Sequence, residues 1–185
     1  MPLPKTHTTS KTLPTRRNTH PQTRAFALAL VVVLGLVVIG VSITSRAPQL
    51  GTVAAGRLIT LANEYRSVDG TPALVENPLL KSAAEAKAHD MAARGYFSHR
   101  TPEGNDSWVF LDRAGYVYTV AGENLAVNFT ESNTVTDAWV RSPTHRANIT
   151  NPEFTNIGVG TAQGVYKGRE AMYVVQFFAR PAAPR

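Results

Sequence analysis

The sequence predicts an α+β fold preceded by one membrane-spanning helix. Three observations point there. An uncharged apolar run occupies Ala25–Ile43. Helical spacing of apolar residues, with recognisable stop and start signals, fills much of 55–94. Two strand-like stretches flank a glycine-bounded turn at 164–168 near the end.

Charge divides the chain before any element is placed. No acidic residue precedes Glu64, whereas Lys5, Lys11, Arg16, Arg17 and Arg24 are all basic. From Arg46 onward 14 basic residues face 13 acidic ones, so the formal charge of +6 belongs to the N-terminal tail. A nucleic-acid partner is therefore not expected, because it would need basic residues clustered on the domain itself. Cysteine is absent, which excludes a thiol nucleophile and a cysteine-built zinc site.

Residues 1–24 are rich in Thr, Pro and basic side chains and are expected to be disordered. Residues 25–44 follow as a signal-anchor. The 19 residues of Ala25–Ile43 match a hydrocarbon core of about 30 Å at helical rise. The basic tail ahead of them places the tail in the cytoplasm and the remainder outside. A cleaved signal peptide is the alternative, and its product would be secreted. In either case the membrane partner is Ala25–Ile43. Residues 45–53, with Pro48 and Gly51, read as a linker.

The folded domain is expected over 54–180. Leu58, Leu61, Ala62 and Tyr65 predict a first helix over 55–68, stopped at Asp69-Gly70. Asn77-Pro78 is a cap followed by proline at the first helical position. From there an alanine-rich helix runs to Arg94 and stops at Gly95. Its small side chains suit close packing at the centre of the fold. A loop, 96–104, carries His99. Asn105-Asp106-Ser107 caps a short helix with Trp108, Phe110 and Leu111. Residues 121–128 read as a turn in which Gly122 presents Glu123. A helix spans 132–141, Pro143 breaks it, and a shorter one runs through His145 to Ile149. Strands are expected over 156–162 and 171–179, with a frayed tail at 181–185.

Several segments carry a family resemblance in this order: Asn63 to Arg66, Tyr96-Phe97-Ser98-His99, Gly122-Glu123-Asn124, Trp139 through Arg146, Ile157-Gly158-Val159-Gly160 and Val175-Gln176-Phe177-Phe178. Together they resemble the CAP superfamily of cysteine-rich secretory, antigen-five and pathogenesis-related proteins, in its cysteine-free bacterial branch. The resemblance implies a three-layer α-β-α sandwich around a mixed, mostly antiparallel sheet. It also implies a cleft usually lined by two histidines and two acids. His99 and Glu123 match that pattern. Ser142 stands at the second acidic position and Tyr173 at the second histidine, and the chain instead offers His145.

The candidate cleft residues are thus His99, Glu123, His145, Ser142 and Asn124. Two imidazoles and a carboxylate can hold a divalent metal such as zinc. The same groups can serve as general acid and base, or Glu123 and His99 can simply brace the loops. Ser98 and Ser142 lie near histidines but in no nucleophile elbow, and Ser142 before Pro143 suits a helix cap. The reading favoured is a binding module whose cleft takes a small apolar, lipid-like or envelope ligand, lipid binding being implied by the resemblance. A hydrolase acting on envelope peptides or polymers, and a structural module with a vestigial cleft, are the alternatives.

Overall fold

The computed structural model describes residues 53–183. The chain divides into Met1–Ala47 and Pro48–Arg185, and all described residues belong to the second unit. The apolar run at 25–43 lies outside them. Among the described residues no helix is long and apolar enough to cross a membrane.

In chain order the elements are α1 (Ala55–Asp69), β1 (Val75–Glu76), α2 (Pro78–Arg94), α3 (Trp108–Arg113), β2 (Tyr118–Val127), α4 (Ser132–Arg141), α5 (Pro143–Thr150), β3 (Asn156–Tyr166) and β4 (Arg169–Pro181). The strands form one sheet in the order β1-β3-β4-β2. β1 runs parallel to β3, and the other pairings are antiparallel. Alternate residues of β4 face opposite sides. Ala171, Tyr173, Val175, Phe177 and Ala179 pack with α2 and α3. Val174 and Phe178 pack with α1, α4 and α5. The sheet thus lies between two helical layers, as the resemblance implied.

Local chemistry sets the helix ends. The Asn77 side chain accepts the N–H groups of Leu79 and Leu80, and Gly95 ends α2 in the left-handed conformation. α1 ends the same way at Gly70. Lys167 and Gly168 both have positive φ, 50° and 78°, the backbone of a two-residue type I′ hairpin. The turn is therefore tighter, and β3 and β4 longer, than the sequence suggested.

α2 lies close on β3. A Cβ built on Gly158 would stand 2.2 Å from the Leu80 carbonyl carbon, and one on Gly160 2.2 Å from that of Ala84. Both obstacles are backbone and cannot turn aside. Leu80, Ala83, Ala84 and Ala88 are buried in the same contact. The opposite layer is fastened by Arg66, whose guanidinium is fully buried. It donates to the carbonyls of Pro72, Ile149, Asn151 and Phe154 at 2.6–3.2 Å. This clamps α1 to the end of α5.

The turn expected over 121–128 is instead the body of β2. The backbone turns only at Asn128, where φ is 68°. Residues Gly122 through Ala126 are all buried, so this strand lacks the alternation of buried and exposed positions that marks a surface strand. Gly122 serves by size and not by backbone freedom. A Cβ there would meet the Phe154 ring at 2.8 Å and the Asn148 side chain at 3.0 Å.

Gly160→Ala should cost more than about 3 kcal/mol, the upper range of ordinary overpacking, because backbone must move. Gly56→Ala, with nothing within 4 Å, should be neutral or stabilise by up to about 1 kcal/mol. Urea unfolding of both variants checks the contrast.

Candidate functional site

Side chains alternate along β2, so Glu123 and Asn124 point into different layers. Glu123 faces α2 and α3. Its Oε2 lies 2.5 Å from His99 Nδ1 and 2.9 Å from the Ser107 hydroxyl. The Ser107 Oγ also stands 2.7 Å from the His99 carbonyl. With one proton it donates to one of them at a time. That carbonyl already receives the Ser107 N–H at 3.1 Å, which leaves the hydroxyl free for the carboxylate. The Glu123 side chain is 3% exposed and that of His99 62%. A buried charge is thereby joined to a solvent-facing imidazole.

The loop carrying His99 is held from both sides. Arg100 pairs with Asp106 at 3.0 Å, Thr101 N–H donates to the Asn105 carbonyl, and Arg94 pairs with Glu103. Ser107 was expected to cap α3. Its side chain makes no cap bond, because it is spent on Glu123. Ser98 Oγ accepts the Arg100 N–H. Neither serine hydroxyl makes a hydrogen bond to the His99 ring.

Lys87 extends the site inward. It is fully buried on α2, between the rings of Tyr96 and Phe110 at 5.1 and 5.3 Å from their centroids. Its Nζ donates to the Tyr96 hydroxyl at 3.4 Å, and that hydroxyl donates to Asp90 at 2.5 Å. Burial lowers the Lys87 pKa, and the charges of Glu123 and Asp90 oppose the shift. Glu123 Oε1 is buried without a hydrogen-bond partner.

Asn124 points into the other layer and is fully buried. Its amide donates to the His145 carbonyl at 3.1 Å and accepts from Asn148 at 2.9 Å. Asn148 also donates to the Glu123 carbonyl at 3.0 Å. Asn124 therefore ties α5 to the sheet and does not face the cleft. Ser142 sits at the α4–α5 junction, its hydroxyl 3.2 Å from that of Thr144 and in no cap bond. His145 is half-buried on α5.

A cleft of about 320 Å³ is lined by His99, Asp106, Ser107, Trp108, Ala121, Gly122, Glu123 and Asn148. It holds two of the predicted residues, His99 and Glu123. His145 is not in the lining. Burial and then the charge of His99 lower its pKa. The His99 pKa is raised, chiefly by its bond to Glu123, against burial. Among the described residues no three of His, Cys, Asp and Glu are placed to hold one metal ion. His99 Nδ1 and Glu123 Oε2 already engage each other, so these two atoms are not open to an ion while Nε2 is uncommitted. Tyr173 is a core residue, its hydroxyl donating to the Val165 carbonyl at 2.9 Å.

A model of the cysteine-rich secretory protein (CAP) family matches residues 59–178. The chain belongs to the CAP family. It is 35% identical to the Bacillus subtilis protein YkwD over 63% of this chain and 46% of that one. It is 25% identical to the membrane protein YlbC of the same organism over 64% and 34%. The chain thus spans less than half the length of these curated relatives. An extracellular Bacillus anthracis protein containing an SCP domain has a similar structure, with TM-score 0.59 and 29% identity over 68% of this chain and 40% of that one. An outer surface protein of Borrelia burgdorferi shares the fold at 22% identity, with TM-score 0.58 over 68% and 91%. This CAP domain places a carboxylate–imidazole pair at the sheet edge, with Ser107, Asn148 and Lys87 as supports that sequence reasoning did not single out.

The two histidines should titrate on opposite sides of the ordinary value of about 6.5, His99 above and His145 below. Raised in the fold, His99 contributes stability that is full below about 6.5 and is lost as pH rises through its folded pKa. His145 works in the other sense, losing stability as pH falls through its depressed pKa. Imidazole NMR titration checks both. His99→Ala should move His145 upward, and an unmoved His145 would show that the rings do not sense each other.

Proposed function

We propose that this CAP domain is a binding module outside the cytoplasm, held at the membrane by residues 25–44, and that its cleft receives a polar ligand of the cell envelope. The observation that carries the reading is the His99–Glu123 pair at the mouth of the cleft. Glu123 engages Nδ1 of the ring and leaves Nε2 uncommitted for an occupant. The volume of about 320 Å³ is at the small end of ligand sites. The lining mixes polar side chains (His99, Asp106, Ser107, Glu123 and Asn148) with the apolar surface of Trp108 and Ala121, a combination that suits an envelope peptide or glycan. The extracellular Bacillus anthracis relative and the membrane protein YlbC agree with the placement.

The same pair supports a second reading, an acid–base hydrolase of envelope polymers, since a carboxylate that orients an imidazole is a recurrent general-base arrangement. Soluble peptidoglycan fragments test both. Trp108 lines the cleft, so its fluorescence should change saturably when the full chain, in lipid nanodiscs, is titrated with disaccharide-peptides. His99→Ala should weaken binding at least tenfold. Binding that is equal in His99→Ala, or no saturable change in the wild type, would contradict the binding reading. Release of new ends from the fragments, abolished by His99→Ala, would select the hydrolase.

A further inference from the structure

The cleft lies at an edge of the sheet. Three consecutive residues of β2, Ala121, Gly122 and Glu123, line it. On one face of a sheet only alternate residues would be available. The lining also takes Ser107 and Trp108 from one helical layer and Asn148 from the other, so the cleft wraps around the strand. β2 ends the strand order, and one row of its backbone groups faces away from β4.

Hydrogen bonds already made identify that row. Asn128 N–H donates to Met172 of β4, which assigns the even-numbered residues to the sheet. The outward carbonyls of Glu123 and Leu125 are taken by Asn148 and by the Trp139 indole, both at 3.0 Å. By the alternation of an antiparallel ladder, Ala121 N–H and C=O belong to the same outward row. The register irregularity lies before it, between Tyr118 and Val120. Ala121 has no backbone partner outside the sheet among the described residues. Side chains thus take the outward carbonyls at 123 and 125 and leave that of Ala121, which lines the cleft with His99, open.

We propose that the ligand of this cleft is an extended peptide, bound by strand addition to β2 at Ala121, with one peptide carbonyl or carboxylate reaching His99 Nε2. An open edge offers an amide and a carbonyl at strand spacing, and an extended backbone supplies the complementary pair. A saccharide can satisfy His99 but does not reproduce the two-residue period. The proposal rests on the binding-module reading and narrows its ligand class.

Tetra-alanine is the probe, titrated against the full chain in nanodiscs with the Ala121 amide followed by NMR. Versions N-methylated at each internal residue in turn follow. Methylation at the position facing Ala121 should weaken binding at least tenfold, and methylation one residue away should leave it within about twofold, the period of a strand. Ala121→Pro removes only an outward N–H, a substitution that edge strands accept, and should abolish binding while the fold, read by the remaining amides, is kept. Equal effects of methylation at all positions, or no peptide binding, would overturn the proposal. Chitotetraose binding in place of tetra-alanine would overturn it while leaving the binding module intact. Failure of tetra-alanine, chitotetraose and disaccharide-peptides alike would overturn both.

Discussion

A carboxylate buried within a strand requires partners, and Glu123 obtains hydrogen bonds from two separate elements. The His99 imidazole comes from the loop after α2 and the Ser107 hydroxyl from the start of α3, while Lys87, on the middle of α2, adds a nearby positive charge without touching it. Burying an unpaired carboxylate would cost several kcal/mol. The site therefore constrains the layer built by α2 and α3, because each partner must arrive at one point on the strand. The close seating of α2 on Gly158 and Gly160 fixes where Lys87 reaches. The ion pairs within the 94–106 segment fix where His99 does.

On the opposite side of β2 the constraint is met by amides instead of charges. Asn124 and Asn148 join α5 to the strand, Asn124 donating to the His145 carbonyl and accepting from Asn148. Arg66 fastens the other end of the same helix. The two layers meet around the strand's free edge, and the cleft forms at that junction.

Much of this was legible in the sequence, for local reasons. α1, α2, α4 and α5 lie where spacing, caps and proline placed them, because helix ends are set by neighbouring residues. The alanines of α2 also signalled a close contact at the centre of the fold. β2 was not legible. Its centre, Gly122-Glu123-Asn124, is polar and glycine-containing, which reads as a turn. The partners that make those residues acceptable in a buried strand lie 16 to 52 positions away. Ser107 does stand at the N-cap position of α3, but its hydroxyl serves distant Glu123 instead of the helix. Lys87 carried no local signal, because a lysine on a helix is ordinarily solvated. β1 is two residues long, too short for any periodicity.

The most direct test of the central claim is a double-mutant cycle of Glu123→Gln and His99→Ala by urea unfolding at pH 6, where His99 is charged. If the buried carboxylate is held by that imidazole, the two substitutions should couple by more than the roughly 0.5 kcal/mol within which independent sites add. Simple additivity would contradict the claim, because the pair at the mouth of the cleft would then not organise the site.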